Sequence, residues 1–311
     1  MMEGSRSAVA ALRKGVQMRL MSQLLLASVA LSTVGLLSAA PASAAVISCS
    51  ASLNVDDSDV RVDTKTGPGP CSLQFVARPE GPNATIAIAN SFAFGARFIQ
   101  ADALADVQTS HFVGLTGATT SFDQVRVSGL DDGGADITFD IFSTYVFVAD
   151  ASDPNRFSRA TATSQFRNQA TVSADGRVAN ALYTGCVKND TPGISVCNGA
   201  FDVTEPGSGS VHLYPTIHLL NGELLNINLS VLAAAVGHAP QSDNFAMART
   251  TSSLSWRGVR FGSSSLRLLN SDGVDYTQPF SAGVPEPTTW ALMLLGFGAA
   301  GAVLRRRRLA V

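Results

Sequence analysis

Between residues 45 and 284 the apolar and polar side chains alternate with a period of two. Ala135 to Val148 runs through Ile137, Phe139 and Ile141, then Tyr145, Val146, Phe147 and Val148. Thr85 to Ala89 alternates through Ile86 and Ile88, and Gln124 to Val127 does the same. Leu224 to Leu232 places Leu225, Ile227, Leu229 and Val231 on one side. Such alternation predicts strands with one buried face. Val211, Leu213, Ile217 and Leu219 flank Pro215, which predicts an edge strand or a bulge, since proline cannot donate to a ladder. The alanine-rich stretch Gln100 to Val107 is assigned to a strand or connection rather than a helix. Turn chemistry recurs between these runs at Asp131-Asp132-Gly133-Gly134, Asp153-Pro154-Asn155 and Asp272-Gly273. Asp175-Gly176 and Asn221-Gly222 are expected to close hairpins. The predicted class is all-β, an antiparallel β-sandwich or jelly-roll-like ectodomain. Thr204 to Ser210 is the best linker candidate, but splitting there leaves a small second unit, so one continuous domain over 45–284 is expected.

The two ends depart from this pattern. Arg6, Arg13, Lys14 and Arg19 precede the apolar run Leu24 to Leu37, followed by the small-residue stretch Ser38 to Ala45. That order reads as a secretory signal peptide over 1–44, cleaved after Ala44. At the other end Pro285-Glu286-Pro287 is followed by uncharged residues from Thr288 to Leu304, and then by Arg305, Arg306, Arg307 and Arg308. As a helix, 288–304 would measure about 25 Å, the short end of a membrane span. The arginines would stay in the cytoplasm and the remainder outside.

The tail resembles the PEP-CTERM sorting signal of Gram-negative bacteria that make exopolysaccharide. Its three parts stand in order over residues 285–311. The resemblance implies recognition of Pro285, Glu286 and Pro287 by an exosortase, a membrane cysteine protease. The export machinery and exosortase would be transient partners. The inner membrane would hold the precursor through the C-terminal helix. The processed product would then lie at the cell surface or in the extracellular matrix, beside exopolysaccharide. Asn244 to Trp256 and Ser271 to Tyr276 also resemble the closing strands of many PEP-CTERM ectodomains.

Charge narrows the partners. Residues 45–284 hold 14 basic against 22 acidic side chains, a net of −8, so nucleic acid is not expected as a partner. Only two lysines and three glutamates occur there, which agrees with strands rather than exposed helices. All four cysteines, Cys49, Cys71, Cys186 and Cys197, fall in this exported part. An even count there predicts disulfides, with Cys49–Cys71 and Cys186–Cys197 favoured by proximity.

Catalytic motifs do not emerge. The chain has no G-x-S-x-G elbow, P-loop or H-E-x-x-H. His212 and His218 lie six apart and would share a strand face, but two histidines alone do not make a metal site; no metal or cofactor is expected. Asp56, Asp57 and Asp59, then Asp131, Asp132 and Asp136, then Asp272 and Asp275 form acidic clusters. These suit either calcium or local turn capping. Trp256 is the one tryptophan between the ends. It is the one sequence candidate for a glycan platform, but its place in the alternating Leu254–Trp256 run favours core packing. The leading expectation is a non-enzymatic exported matrix protein. A carbohydrate-binding ectodomain, with or without calcium, is the alternative. A secreted glycan hydrolase ranks below both, because no pair of carboxylates stands out.

Overall fold

A computed structural model describes residues 45–280, apart from 56–58, 78–85, 94–95, 109–110, 154–158, 192, 196, 198, 242–243 and 263. The described residues contain strands and turns and no helix. The strands are Val46–Val55 (β1), Asp59–Gly67 (β2), Cys71–Ala77 (β3), Ile86–Ala93 (β4) and Phe98–Gln108 (β5). They continue with His111–Ser128 (β6), Ala135–Ser152 (β7), Thr161–Ala174 (β8), Arg177–Asp190 (β9) and Gly193–Ser195 (β10). Gly207–Leu213 (β11), Thr216–Leu219 (β12), Leu224–Ala239 (β13), Phe245–Phe261 (β14) and Arg267–Asn270 (β15) complete them.

Two antiparallel sheets pack face to face. The first has the order β10-β9-β8-β13-β6-β1-β2, with β15 extending the line of β1 along β6. The second has the order β11-β7-β14-β5-β4-β3, with β12 on the same flank of β7 as β11. The long strands β5, β6, β7 and β8 alternate between the sheets. Later in the chain, β13 inserts between β6 and β8, and β14 inserts between β5 and β7. The sandwich therefore closes only after its last long strands arrive, with contacts of high sequence separation.

The alternation placed most buried faces correctly. Ile137, Phe139 and Ile141 face inward, as do Val125, Val127, Leu225, Ile227, Leu229 and Val231. The alanine-rich segment is strand β5, with Ala101, Ala103 and Ala105 buried. In β4 the inward positions are Ala87 and Ala89, while Ile88 lies half-buried on the other face. Asp175 and Gly176 have φ of 43° and 76° and join the paired strands β8 and β9, the positive-φ pair of a type I′ hairpin. Asn221-Gly222 does not close a hairpin. It carries the chain from β12 in one sheet to β13 in the other. Its backbone docks on β6 instead, through Gly222 N–H to Val127 O at 2.8 Å and Val127 N–H to Glu223 O at 2.9 Å. The edge strand does break at Pro215, whose carbonyl accepts the Phe139 N–H at 3.1 Å and keeps β7 satisfied across the gap. Thr204 to Ser210 is not a free linker, since Gly207 to Ser210 pair with β7.

The core is uneven in thickness. Ala87, Ala89, Ala101, Ala103, Ala105, Ala233 and Ala235 line β4, β5 and β13. Buried hydroxyls there reach the opposite backbone: Thr119 Oγ1 donates to Gln100 O at 2.8 Å, and Thr250 Oγ1 donates to Ala234 O at 2.8 Å. Small side chains allow this approach, and each bond satisfies a polar group that burial would otherwise penalise. Beyond β14, Phe139, Phe147, Phe166 and Trp256 fill the space. Tyr145 stacks on Phe166 at 4.7 Å between centroids.

Gly117 on β6 marks the tightest point. A Cβ there would come within 2.3 Å of Asn90 O and 2.9 Å of Asp102 O, both backbone atoms of the facing sheet. Gly117→Ala is expected to force the sheets apart and cost about 1–3 kcal/mol, as overpacking does. Urea unfolding measures it; an unchanged midpoint would show that the sheets are not in contact there.

Both expected disulfides are present. Cys49–Cys71 ties β1 of one sheet to β3 of the other, and Cys186–Cys197 ties β9 to the segment after β10. Their sequence separations are 22 and 11, so each contributes about 3 kcal/mol by limiting the unfolded chain.

Candidate functional site

Two features lie together at one end of the sandwich. The first is the strap that leads out of the domain. After β15, Asp272 N–H and Val274 N–H both donate to Asn270 Oδ1, at 3.0 and 2.8 Å, and turn the chain back. Asp275 Oδ1 then accepts the Thr277 N–H and hydroxyl at 2.9 and 2.7 Å. Tyr276 is buried, and its hydroxyl donates to Asp123 Oδ2. Trp256 Nε1 donates to Tyr276 O at 2.8 Å, and Phe280 N–H donates to Trp256 O at 2.9 Å. The Arg97 guanidinium lies 5.4 Å from the Tyr276 ring centre and 5.5 Å from that of Phe280. The strap is thus pinned to the core up to residue 280.

Asp123 is the polar anchor of this arrangement. It accepts the Tyr276 hydroxyl, Asn270 Nδ2 at 3.0 Å and the Gln124 N–H at 2.8 Å. Burial pushes its carboxyl above the usual carboxylate range, and these three hydrogen bonds offset part of that push. Burial and the adjacent Asp123 charge raise the Tyr276 phenol, so it remains a donor. A raised native pKa means that the folded state keeps a proton which the unfolded state has lost. The stability from this linkage is full below the ordinary value of 3.8 and is lost as pH rises through the native pKa. Asp106, also raised by burial, acts with the same sign. Asp123→Asn is expected to remove the Asp123 share. Its deficit relative to wild type in urea melts should therefore shrink as pH rises through that window, and a constant deficit refutes the assignment.

The second feature is an exposed aromatic and cationic face, formed by β7, β11, β12 and the end of β14. His212 Nδ1 lies 2.6 Å from Asp140 Oδ1, and His218 Nδ1 lies 2.9 Å from Asp136 Oδ1. Thr138 and Thr216 share a hydrogen bond of 2.8 Å between them. Tyr214 stacks on His212 with centroids 5.8 Å apart, and Phe142 lies 5.0 Å from the same imidazole. Arg257 covers Phe142 at 5.0 Å, and Arg260 covers Tyr214 at 4.2 Å. Tyr214 is 40% exposed and Phe261 is 61% exposed. The sequence reading placed the two histidines on one face but did not single out these rings or arginines. The bulges of β14 between Trp256 and Gly258 and between Val259 and Phe261 re-aim them. The only sequence trace was Gly258, whose φ is 101°.

Trp256 takes the core role, and the platform role is overturned. It is 0% exposed and packs against Phe139 at 5.2 Å and Tyr276 at 5.5 Å. A ring enclosed on both faces offers no platform to a sugar, so the core role holds. Among the acidic clusters, Asp136 holds His218 and Asp275 holds Thr277, both local roles. No three metal-binding side chains converge among the described residues. Asp56 and Asp57 lie outside the described residues, as does the side chain of Asp59.

The strap ends immediately before the tail, and there the comparison with known families is decisive. Residues 283–308 match the PEP-CTERM protein-sorting motif. The chain carries an exosortase sorting tail. The PEP-CTERM motif starts three residues after Phe280, directly behind the pinned strap. It implies export and a membrane-held precursor that exosortase processes. Pro285, Glu286, Pro287, the 288–304 segment and Arg305 to Arg308 lie outside the described residues, as does the signal peptide expected over 1–44. No helix among the described residues is long and apolar enough to cross a membrane. No curated protein matches the chain.

Proposed function

We propose that this chain is a non-enzymatic surface or matrix protein. It is delivered outside the cell by the PEP-CTERM route and works among exopolysaccharides, at the cell surface or in a biofilm matrix. The PEP-CTERM motif over 283–308 carries this reading. The two disulfides suit an oxidising destination. Exposed Asp136 and half-buried Asp140 lie on an open sheet face, each hydrogen-bonded to a histidine, with no cleft of described residues around them to hold a scissile bond. The test is intact mass and fractionation in an exosortase-bearing host and in its exosortase-deleted strain. A product starting near Ala45, ending near Pro285 and found outside the cell only in the first strain supports the route. An identical uncut product in both strains defeats it.

A second reading has its own support: direct carbohydrate binding. With Trp256 buried, Tyr214 and Phe261 supply the exposed rings. Flat rings beside polar groups match the alternating C–H and hydroxyl faces of a sugar.

A further inference from the structure

We infer that the end of β14, β15 and the strap form a subsite for the acidic group of an anionic polysaccharide. This inference rests on the carbohydrate reading above and names the ligand class. A shallow cavity of about 220 Å³ opens here, and Arg260, Ser264, Arg267, Thr277 and Gln278 bring the polar groups to its wall. Two arginines, Arg260 and Arg267, line it and no acidic residue does. Nearby Asp275 is turned to the Thr277 amide and hydroxyl. Among the described residues neither Arg260 nor Arg267 has an acidic partner within salt-bridge distance. In a domain with a net charge of −8, two arginines without an acidic partner on the wall of one cavity point to an anion from outside.

The chemistry narrows that anion. The Arg260 guanidinium is held 4.2 Å from the Tyr214 ring centre and 5.2 Å from that of Phe261. Stacking holds its plane and leaves the N–H edges for a planar, bidentate acceptor such as a carboxylate. Hydroxyl and amide groups of Ser264, Thr277 and Gln278 fit the neighbouring sugar hydroxyls. The exposed Phe261 ring takes the apolar side of a pyranose. A uronic-acid polymer offers all three groups within one residue. An anionic bilayer fits less well. Asp131, Asp132, Asp136 and Asp272 are exposed around the same end, and they repel an extended negative surface while one narrow chain passes between them.

The test uses the full chain in neutral-detergent micelles, titrated with a short oligogalacturonate, with a neutral cello-oligosaccharide of equal length, and with phosphatidylglycerol vesicles. The acidic oligomer is expected to bind best and to weaken with salt. Arg260→Ala and Arg267→Ala should each lower its affinity about tenfold, the loss of one charged hydrogen bond. Circular dichroism on each variant establishes that the fold is kept. No oligogalacturonate binding, or equal binding by the Arg260→Ala/Arg267→Ala double variant, overturns the subsite. Equal binding of neutral and acidic oligomers overturns it and leaves carbohydrate binding standing. Vesicle binding without glycan binding, lost in the double variant, reassigns the face to lipid and overturns both. The matrix reading fails separately, in the exosortase-strain comparison.

Discussion

Trp256→Ala is expected to destabilise the domain by about 3–5 kcal/mol, the usual cost of removing a fully buried large ring. The indole fills the space between Phe139 and Tyr276. It also holds the strap by donating to Tyr276 O, whereas the backbone bond from Phe280 N–H to Trp256 O survives the substitution. At about 2–4 °C per kcal/mol for a domain of this size, the melting temperature should fall by roughly 10 °C. Trp256→Phe keeps most of the volume but orphans the Tyr276 carbonyl, at a cost of about 1–2 kcal/mol. Thermal and urea unfolding of both variants check this. A Trp256→Ala protein within 1 kcal/mol of wild type would remove the ring from the core. A glycan platform would show the reverse behaviour, with affinity lost and stability kept.

The second large effect is on sorting. Replacing Glu286 by Ala within Pro285-Glu286-Pro287 is expected to slow processing by about tenfold or more, as the loss of roughly 1.4 kcal/mol of transition-state contact does. Proline restricts its own φ and favours an extended conformation in the residue before it, so such a triplet loses little entropy when an enzyme grips it. Glu286 is the one charged side chain in that motif until Arg305, so its carboxylate is the natural handle. The measurement is the ratio of precursor to processed mass in an exosortase-bearing host. Normal processing of Glu286→Ala would show that recognition lies in the apolar stretch or the arginines. The strap adds a geometric consequence. The fold is pinned as far as Phe280, so four residues separate it from Pro285, a reach of about 17 Å over five extended steps. The enzyme must therefore work close against the folded domain.

Much of this molecule was legible because its information is local. Period-two alternation specifies a strand and its buried face without reference to partners, which is why Ile137, Phe139, Ile141, Leu225, Ile227 and Leu229 were placed correctly. Cys186–Cys197 and Cys49–Cys71 followed from short separations. Asp175-Gly176 gave a hairpin because both residues tolerate positive φ. The sorting motif was legible because it is read as a linear chain. Asn221-Gly222 misled, because turn chemistry says that the chain reverses and not which sheet it enters next. β4 misled because its buried face is alanine, set by how closely the facing Gly117 brings the two sheets.

By itself the sequence determined the sorting motif, the strand content, the disulfide pairing and the absence of familiar catalytic motifs. Only the tertiary structure decided which side chains share a surface. β13 and β14 enter the middles of their sheets late in the chain. That insertion encloses Trp256, joins Asp123 to Tyr276 across 153 residues, and sets Arg260 over Tyr214. Such encounters depend on strand order and on two bulges in β14. Neither leaves a periodic trace, because the same alternating strands could be arranged in many orders.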